Sequence, residues 1–267
     1  MTDSVGRGAL RAMFDAVAER YDRIRPAYPE ALFDDLAELA SLASGSRVLE
    51  VGCGTGQATA ALAARGYRVL AVELGSELAA LARRRLIEWP LSEVVVADFE
   101  TWSLPVERFE AVVFATAFHW IDPAVRMAKT ADALLPGGAI SIVRTHHVAG
   151  GSEPFFVAVQ DCYERWDPAT PPGLRLAAAD DIPIDTEELD RSDRFGPVEV
   201  RRYEWDVTYS TPEYRDLLLT YSGHLALEPE AQRNLLACIG GLIDDRFGGS
   251  ITKRYLTEQL VACRSAG

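Results

Sequence analysis

The first candidate for a functional site in this chain is a cluster of glycines directly after an apolar segment. Val48-Leu49-Glu50-Val51 is followed at once by Gly52-Cys53-Gly54-Thr55-Gly56. Glycines at such a turn let backbone N–H groups approach a ligand closely, because side chains there would block the approach and some positions require φ > 0. The segment therefore predicts a site for a nucleoside cofactor at the end of a strand.

The spacing of the glycines separates two cofactor classes. A dinucleotide-binding loop reads Gly-x-Gly-x-x-Gly, and its third glycine lets the next helix pack near the strand. Gln57 occupies that third position here, and a count that starts at Gly54 places Thr59 there. Glu50 lies in the strand before the loop, where its carboxylate would repel a pyrophosphate. The pattern favours a zwitterionic or cationic ligand and disfavours a nicotinamide oxidoreductase, which stays an alternative.

From Glu50 to Gly56 the chain resembles the first motif, Glu/Asp-x-Gly-x-Gly-x-Gly, of class I S-adenosylmethionine-dependent methyltransferases. Further signals follow in the order of that family, namely a strand that ends in Glu73, the triplet Ala97-Asp98-Phe99, and Leu134-Leu135-Pro136-Gly137-Gly138. The similarity extends from about Phe14 to Thr145 and is closest to the small-molecule type 11 branch. It implies S-adenosyl-L-methionine as the cofactor.

The resemblance also assigns roles to individual side chains. Glu73 would accept hydrogen bonds from both ribose hydroxyls, although an exposed glutamate at a strand end is the alternative. Asp98 would accept from the adenine amino group, or serve only as a turn former. Phe99 would donate its backbone N–H to a ring nitrogen while Leu74 covers the ring face. The predicted cofactor-binding residues are Tyr21, Arg25, Glu50, Gly52, Gly54, Gly56, Glu73, Leu74, Asp98, Phe99 and Ala115.

Tyr21 and Arg25 belong to a proline-limited segment before the glycine cluster. It reads Tyr21-Asp22-Arg23-Ile24-Arg25-Pro26-Ala27-Tyr28-Pro29 and resembles a stretch that closes over the cofactor in related methyltransferases. Arg25 is predicted to pair with a carboxylate of the cofactor or the substrate. An ordinary surface arginine is the alternative interpretation.

A second chemical segment follows the predicted fourth strand and reads Ala115-Thr116-Ala117-Phe118-His119-Trp120. Open α/β sheets bind ligands at the carboxyl ends of their strands, so this segment is expected beside the transferable methyl group. Its rings can stabilise a sulfonium by cation–π attraction, and His119 can remove a proton from an attacking hydroxyl or amine. His119 is the first candidate base, although a His-Trp pair can also merely pack at a strand end.

His146 and His147 follow the predicted fifth strand on the same ligand-facing edge. Adjacent residues usually point in different directions, so we expect at most one of them to face a pocket. His146 is the second candidate base, and His224, among the later helices, receives no role. Methyl transfer needs little acid–base catalysis where positioning of the two reactants lowers the barrier by several kcal/mol. A candidate base in the sequence therefore does not identify the nucleophile.

Alternating helices and strands must position these residues. The pattern predicts an α/β fold with a doubly wound, mostly parallel sheet, because segments such as Val94-Val95-Val96 are continuously apolar. The resemblance implies seven strands, the last inserted antiparallel between the fifth and the sixth. The expected strands are residues 47–51, 68–73, 94–98, 111–116, 139–145, 198–208 and 254–263. The expected helices include residues 57–65, 76–87, 123–134, 212–222 and 229–246.

The domain prediction is a single methyltransferase domain over residues 1–267. Within it we expect an N-terminal helical segment at residues 1–45 and a cofactor-binding core at 46–150. Residues 151–195 and 212–250 are expected to form cap insertions that shape an acceptor pocket, because prolines and glycines interrupt the α/β rhythm after Gly150.

Composition narrows the partners. The formal net charge of -13 argues against nucleic acid, which attracts clustered lysine and arginine. The first residues show neither a leader-like pattern nor a membrane-spanning run, so a cytoplasmic protein with no membrane partner is expected. The four cysteines have no Cys-x-x-Cys spacing, which predicts reduced thiols and no metal site.

These patterns together predict an enzyme that transfers a methyl group from S-adenosyl-L-methionine to a small-molecule acceptor by in-line displacement. A regulatory protein that binds the same cofactor without catalysis is the alternative from another functional class.

Overall fold

A computed structural model describes residues 17–265, and its core is a seven-stranded sheet. The strands are β1 (Arg47–Val51), β2 (Arg68–Glu73), β3 (Glu93–Val96), β4 (Phe109–Ala115), β5 (Leu134–His147), β6 (Phe195–Ser210) and β7 (Ser250–Arg264). Their order in the sheet is β3-β2-β1-β4-β5-β7-β6. Strands β1 to β5 pair in parallel, whereas β7 lies antiparallel to both β5 and β6.

Helices connect the strands and build the region above the sheet. They are α1 (Ala18–Ile24), α2 (Glu30–Leu39), α3 (Gln57–Ala64), α4 (Ser76–Arg85), α5 (Pro123–Ala133), α6 (Glu153–Ala158), α7 (Gln160–Trp166), α8 (Glu187–Asp190), α9 (Thr211–Leu218), α10 (Ser222–Leu225) and α11 (Pro229–Arg246). Among the residues described, no helix is both long and apolar enough to cross a membrane.

The sheet is covered on both faces because its strands are apolar on both faces. Val48 of β1 packs in a core cluster with residues of α2, α3 and α4. Its neighbour Leu49 points the other way and packs with residues of α5 and α8. This alternation is the period of two that a strand imposes. The predicted doubly wound sheet and the antiparallel insertion of the last strand are confirmed.

The strands at the C-terminal side of the sheet are longer than predicted. β5 was expected at residues 139–145, but it begins at Leu134 and ends at His147. The prediction placed Leu134 to Gly138 before the strand, whereas Leu134 already pairs with Phe109 of β4 and the regular pairing resumes at Ala139 after a register shift. The extensions of β5, β6 and β7 carry side chains beyond the sheet into the region above it.

That region contains a third core cluster, which we call the cap. Its buried side chains come from α6, α7, α9, α11 and the ends of β6 and β7. The predicted insertions at 151–195 and 212–250 contribute most of these helices, and their role in acceptor binding stays a prediction. The part of the predicted N-terminal segment before residue 17, including Phe14, lies outside the described residues.

The cap corrects the prediction that the cysteines are reduced thiols. Cys162 of α7 and Cys238 of α11 form a disulfide across 76 residues of sequence. Their separation in sequence hid the pairing, because only the packing of α7 against α11 brings the two thiols together. Cys53 and Cys263 are free.

Reduction of this disulfide is expected to lower the free energy of unfolding by about 2–4 kcal/mol, since the bond closes a long loop in the unfolded chain. Urea unfolding with and without reductant measures the change, and the Cys162→Ser/Cys238→Ser variant should equal the reduced protein. Thiol titration of the denatured, unreduced protein should count Cys53 and Cys263 only. Four reactive thiols before reduction would contradict the bond.

Candidate functional site

A cavity of about 1190 Å³ lies above the carboxyl ends of the parallel strands, where open α/β sheets bind ligands. One half is bounded by the glycine cluster and the ends of β2, β3 and β4. The other half is bounded by the cap and the extended ends of β5 and β7. Predicted residues that line it are Tyr21, Arg25, Gly52, Gly54, Glu73, Leu74, Asp98, Phe99, Ala115, His119 and His146.

The glycine cluster needs its glycines for three different reasons. Gly52 has φ +71°, and a Cβ built there would lie 2.7 Å from the Cβ of Ala117. Gly54 has φ +57° and lines the cavity with open space around it. Gly56 does not line the cavity. It precedes α3 in a left-handed conformation, and a Cβ there would lie 3.1 Å from Ala82 of α4.

Gly56 therefore does in this loop what the third glycine of a dinucleotide fingerprint does, since it permits close packing of elements. This packing role differs from the predicted contact of Gly56 with the cofactor. Gly52 and Gly54 remain the members of the cluster whose backbone borders the cavity.

Glu73 at the end of β2 fixes the loop as well as lining the cavity. One carboxylate oxygen accepts from the N–H of Gly54 at 2.8 Å, and the other accepts from the N–H of Gly75 at 2.9 Å. The residue is only 8% exposed, so the alternative of an exposed strand-end glutamate is wrong. Each carboxylate oxygen has a second lone pair, which leaves capacity to accept from a ligand.

Asp98 and Phe99 come just after β3, which ends at Val96 and not at Asp98 as predicted. Both residues line the cavity with Leu74. An oxygen of Asp98 accepts from the N–H of Glu100 at 3.0 Å, which is the turn-forming role. The turn does not exclude the predicted role, because the same side chain borders the cavity. The Phe99 ring is buried edge-on against Phe114, so only its backbone is suited to polar contact with a ligand.

Glu50 does not border the cavity, contrary to the predicted cofactor contact. Its side chain is 1% exposed, and it accepts from the hydroxyl of Thr59 at 2.5 Å. Burial raises the pKa of this carboxyl to about 8, and Glu73 adds to the rise while Thr59 opposes it. The residue supports the loop from the side away from the cavity, and its raised pKa favours the protonated form.

The raised pKa of Glu50 predicts how stability changes with pH. A carboxyl that titrates at about 8 when folded and near 4.5 when unfolded binds its proton more tightly in the folded state. Its contribution is complete below pH 4.5 and is lost as pH rises through 8. We expect Glu50→Gln to exceed the wild type in free energy of unfolding at pH 9 by about 2 kcal/mol or more, and less at pH 5. Urea unfolding at both pH values tests this, and equal differences would contradict it.

Arg25 is fixed in the cavity wall and is not the surface arginine of the alternative interpretation. Its Nε donates to Thr220 Oγ1 at 2.9 Å, and a terminal nitrogen donates to the Thr220 carbonyl at 2.7 Å. Its guanidinium also lies over the rings of Tyr21 and Tyr221, with the carbon 4.9 and 4.3 Å from their centroids. The predicted closing segment thus connects α1 to the cap.

His119 lies in a short 3₁₀ turn, Phe118–Trp120, after β4. It lines the cavity while keeping an exposed edge, and its ring contacts Trp120 at 4.8 Å between centroids. The surrounding protein lowers its pKa through desolvation first and then through the charges of Arg126 and Arg144. A neutral imidazole in this position can accept a proton.

His146 and His147 both line the cavity, so the expectation that at most one does so is wrong. The extended β5 projects above the sheet, and the cavity wraps around its end. The Nε2 of His146 lies 2.7 Å from a carboxylate oxygen of Glu258. His147 packs against Phe156 with centroids 4.6 Å apart. His224, which received no role, also lines the cavity and shares a 3.0 Å hydrogen bond with the Tyr163 hydroxyl.

The sequence prediction missed the cap side of the cavity, above all Tyr221, Lys253, Tyr255 and Glu258. A signal was present in β7. One face of this strand is buried, and it carries Ile251, Lys253 and Tyr255, which are 1%, 3% and 4% exposed. A lysine on the buried face of a strand indicates that this face contributes a polar group to a site.

Comparison with known proteins agrees with this arrangement. Residues 49–142 match the family model described as a methyltransferase domain. An uncharacterized methyltransferase of Mycobacterium tuberculosis is 35% identical over 137 residues, which cover 51% of this chain and 54% of that protein. The chain thus spans about half the length of the curated relatives it matches.

Solved structures share the fold. A structure described as a putative type II methyltransferase from Anaeromyxobacter dehalogenans has a TM-score of 0.63 at 24% identity and covers 90% of this chain and 97% of its own. Phosphoethanolamine N-methyltransferase 2 of Haemonchus contortus, in complex with S-adenosylhomocysteine, has a TM-score of 0.53 at 18% identity. That match covers 94% of this chain and 57% of the Haemonchus chain.

Proposed function

We propose that this protein methylates a small molecule, because residues 49–142 match a methyltransferase domain and the chain shares the fold of solved methyltransferases. The observation that carries the proposal is the shared cavity. Gly52, Gly54, Glu73 and Asp98 border one half of it, and His119 borders the same space.

The residues present fit S-adenosyl-L-methionine. At Gly52 a side chain would collide with Ala117, so only glycine leaves the backbone open toward the cavity. Glu73 would hold the ribose hydroxyls and Asp98 the adenine amino group, with Leu74 against the ring face. Tyr21, Arg25 and Ala115 would bound the remainder. The bound cofactor supplies a methyl group on a positively charged sulfur.

The chain's own residues then have three tasks. The glycine cluster and the cap hold cofactor and acceptor in contact, which accounts for several kcal/mol of the barrier. Tyr21, Trp120 and Phe118 place aromatic surface around the cavity and limit water. His119 accepts the proton of an attacking hydroxyl or amine at its neutral ring nitrogen. His146, paired with Glu258, is the second candidate for that proton.

A regulatory protein that binds the cofactor without methylating anything is the competing function. Calorimetric titration with S-adenosylhomocysteine and with NAD tests the cofactor class, and only the first should bind. Incubation with methyl-labelled S-adenosylmethionine and a metabolite extract then tests turnover. Labelled product supports the enzyme, whereas tight binding without product from any extract favours the regulator, and an absence of binding overturns both.

We further propose that the acceptor is not a nucleic acid, and that the protein acts in the cytoplasm without a membrane partner. The net charge of -13 supports the first statement. Cell fractionation tests the second statement. The Cys162–Cys238 bond argues against a cytoplasmic location, because disulfides are rare in reducing compartments.

A further inference from the structure

Two cations in the wall of the cavity have no carboxylate partner within residues 17–265. Lys253 of β7 is 3% exposed, and its Nζ donates to the hydroxyl of Tyr221 at 2.9 Å. Arg25 donates to Thr220 and to no acidic side chain of the described chain. A lysine is almost never buried to this degree unless it is paired. Neither cation therefore has a carboxylate as its counter-ion among the described residues.

Both cations meet at one ring. The Arg25 guanidinium carbon is 4.3 Å from the centroid of the Tyr221 ring, and Lys253 Nζ is 4.8 Å from the same centroid. Lys253 Nζ also lies 5.1 Å from the Tyr255 centroid. Cation–π attraction of this kind recovers only part of the hydration that a buried ammonium loses. Two like charges at one ring add repulsion, which an anion between them would relieve.

The acidic residues near this part of the cavity are already engaged. Glu258 lies 2.7 Å from His146 and 3.3 Å from Arg202. Asp185 pairs with Arg144 at 3.7 Å. Neither carboxylate reaches Lys253 or Arg25, so neither supplies their counter-charge.

His147 adds an unsatisfied neutral group beside Lys253. Its Nε2 is buried and has no hydrogen-bond partner in the described chain. Burial, and then the charge of Lys253, lower the pKa of this histidine to about 2, so the ring is neutral under all ordinary conditions. A buried polar atom without a partner is rare in folded proteins and is commonly satisfied by a ligand or water.

Apolar side chains surround these polar groups. Phe156, Val159, Leu176, Tyr214 and Leu218 line the same cap side of the cavity. Such a surface suits an aromatic or aliphatic body, with a few polar groups fixing its orientation.

The two carboxylates on the cofactor side of the cavity lie far from Lys253. Glu73 ends β2 and Asp98 follows β3, whereas Lys253 lies on β7. Four steps in the sheet order separate β2 from β7, which is about 19 Å at the usual spacing of strands. An anionic group is thus repelled by Glu73 and Asp98 and attracted by Lys253, while Glu258 on the same strand is paired with Arg202.

We propose that the acceptor is a small organic carboxylate on an apolar or aromatic body, anchored by its carboxylate between Lys253 and Arg25. This inference rests on the proposed methyl transfer and names the substrate class of the same site. The amino-acid carboxylate of the cofactor offers the same chemistry, and the experiment below separates the two sources.

The probes are phenylacetate, cinnamate and octanoate, each compared with its amide in calorimetric titrations of the protein saturated with S-adenosylhomocysteine. We expect at least one acid to bind roughly tenfold more tightly than its amide, because only the acid carries the counter-charge. Lys253→Met should abolish this preference while leaving the affinity for S-adenosylhomocysteine unchanged. Equal binding of all acids and amides would overturn the inference.

Lys129→Met is the matched control, because the chain has only these two lysines. Lys129 Nζ donates to the carbonyl oxygens of Glu100 and Trp102 and does not line the cavity. This variant should keep the preference for acids. If Lys253→Met instead loses affinity for S-adenosylhomocysteine, the carboxylate at Lys253 belongs to the cofactor and the inference fails.

The wild-type protein provides a test that does not depend on folding of the variant. Acetic anhydride labelling followed by peptide mass spectrometry should modify Lys253 more slowly with the bound acid than with its amide, and Lys129 at an unchanged rate. Equal protection by acid and amide overturns the inference. If S-adenosylhomocysteine does not bind, the proposed function fails, yet labelling with the acids alone still decides the anion site.

Discussion

Gly52→Ala is expected to weaken S-adenosylhomocysteine binding by roughly a hundredfold or more. The new methyl group would lie 2.7 Å from the Cβ of Ala117, so the backbone on one side must move. The φ of +71° adds about 1–2 kcal/mol of strain for an L-residue. Both effects displace the N–H groups that border the cavity. Calorimetric titration measures the affinity, and thermal unfolding measures the loss of stability.

Gly137→Ala is the matched control for the strain alone. It has φ +79°, and a Cβ there meets nothing within 4 Å. We expect a similar backbone cost and unchanged cofactor affinity, because Gly137 does not line the cavity. The double variant Gly52→Ala/Ala117→Gly should regain part of the stability. Wild-type affinity in Gly52→Ala would show that the glycine cluster does not bind the cofactor.

Glu73→Gln is expected to weaken S-adenosylhomocysteine binding about ten- to a hundredfold, since a charged acceptor is worth roughly 1.5–3 kcal/mol. The amide nitrogen can no longer accept from one of the two N–H groups, of Gly54 or Gly75, that the carboxylate now satisfies. The variant therefore loses both the charge toward the ribose and part of the support for the loop.

Glu93→Gln controls for loss of a negative charge from this side of the sheet. Glu93 is exposed at the start of β3, at the other end of the strand from the cavity. Its replacement should change neither cofactor affinity nor unfolding. Equal affinities of Glu73→Gln and wild type, measured by calorimetry, would remove Glu73 from the site and leave it only a structural role.

The cofactor side of the molecule was predictable because its signals are local. The bounds of β1 and β2 agree with the predicted segments, since continuous apolar runs end at glycine and glutamate. Glu73 and Asp98 could be located for the same reason, as Glu73 ends β2 and Asp98 lies just after β3. Glu50 was misplaced because sequence spacing cannot tell a side chain that faces the cavity from one that packs beneath it against Thr59.

The cap side was not predictable from local patterns. Lys253 and Arg25 are brought to Tyr221 from opposite ends of the chain. The Cys162–Cys238 bond likewise depends on how α7 packs against α11. Such pairings are properties of tertiary structure, and no period of hydrophobicity encodes them. The lysine on the buried face of β7 was the one available sign that the last strand contributes polar groups.

The position of β7 has a consequence for biosynthesis. Within residues 17–265 β6 pairs only with β7, and β7 also supplies Lys253, Tyr255 and Glu258. A nascent chain that has emerged as far as β6 holds the glycine cluster and β1 to β5, yet its sixth strand has no neighbour and its cavity lacks one wall. Since long-range pairing is slow and exposed edges aggregate, we expect the chain to be most prone to aggregation before residues 250–264 leave the ribosome.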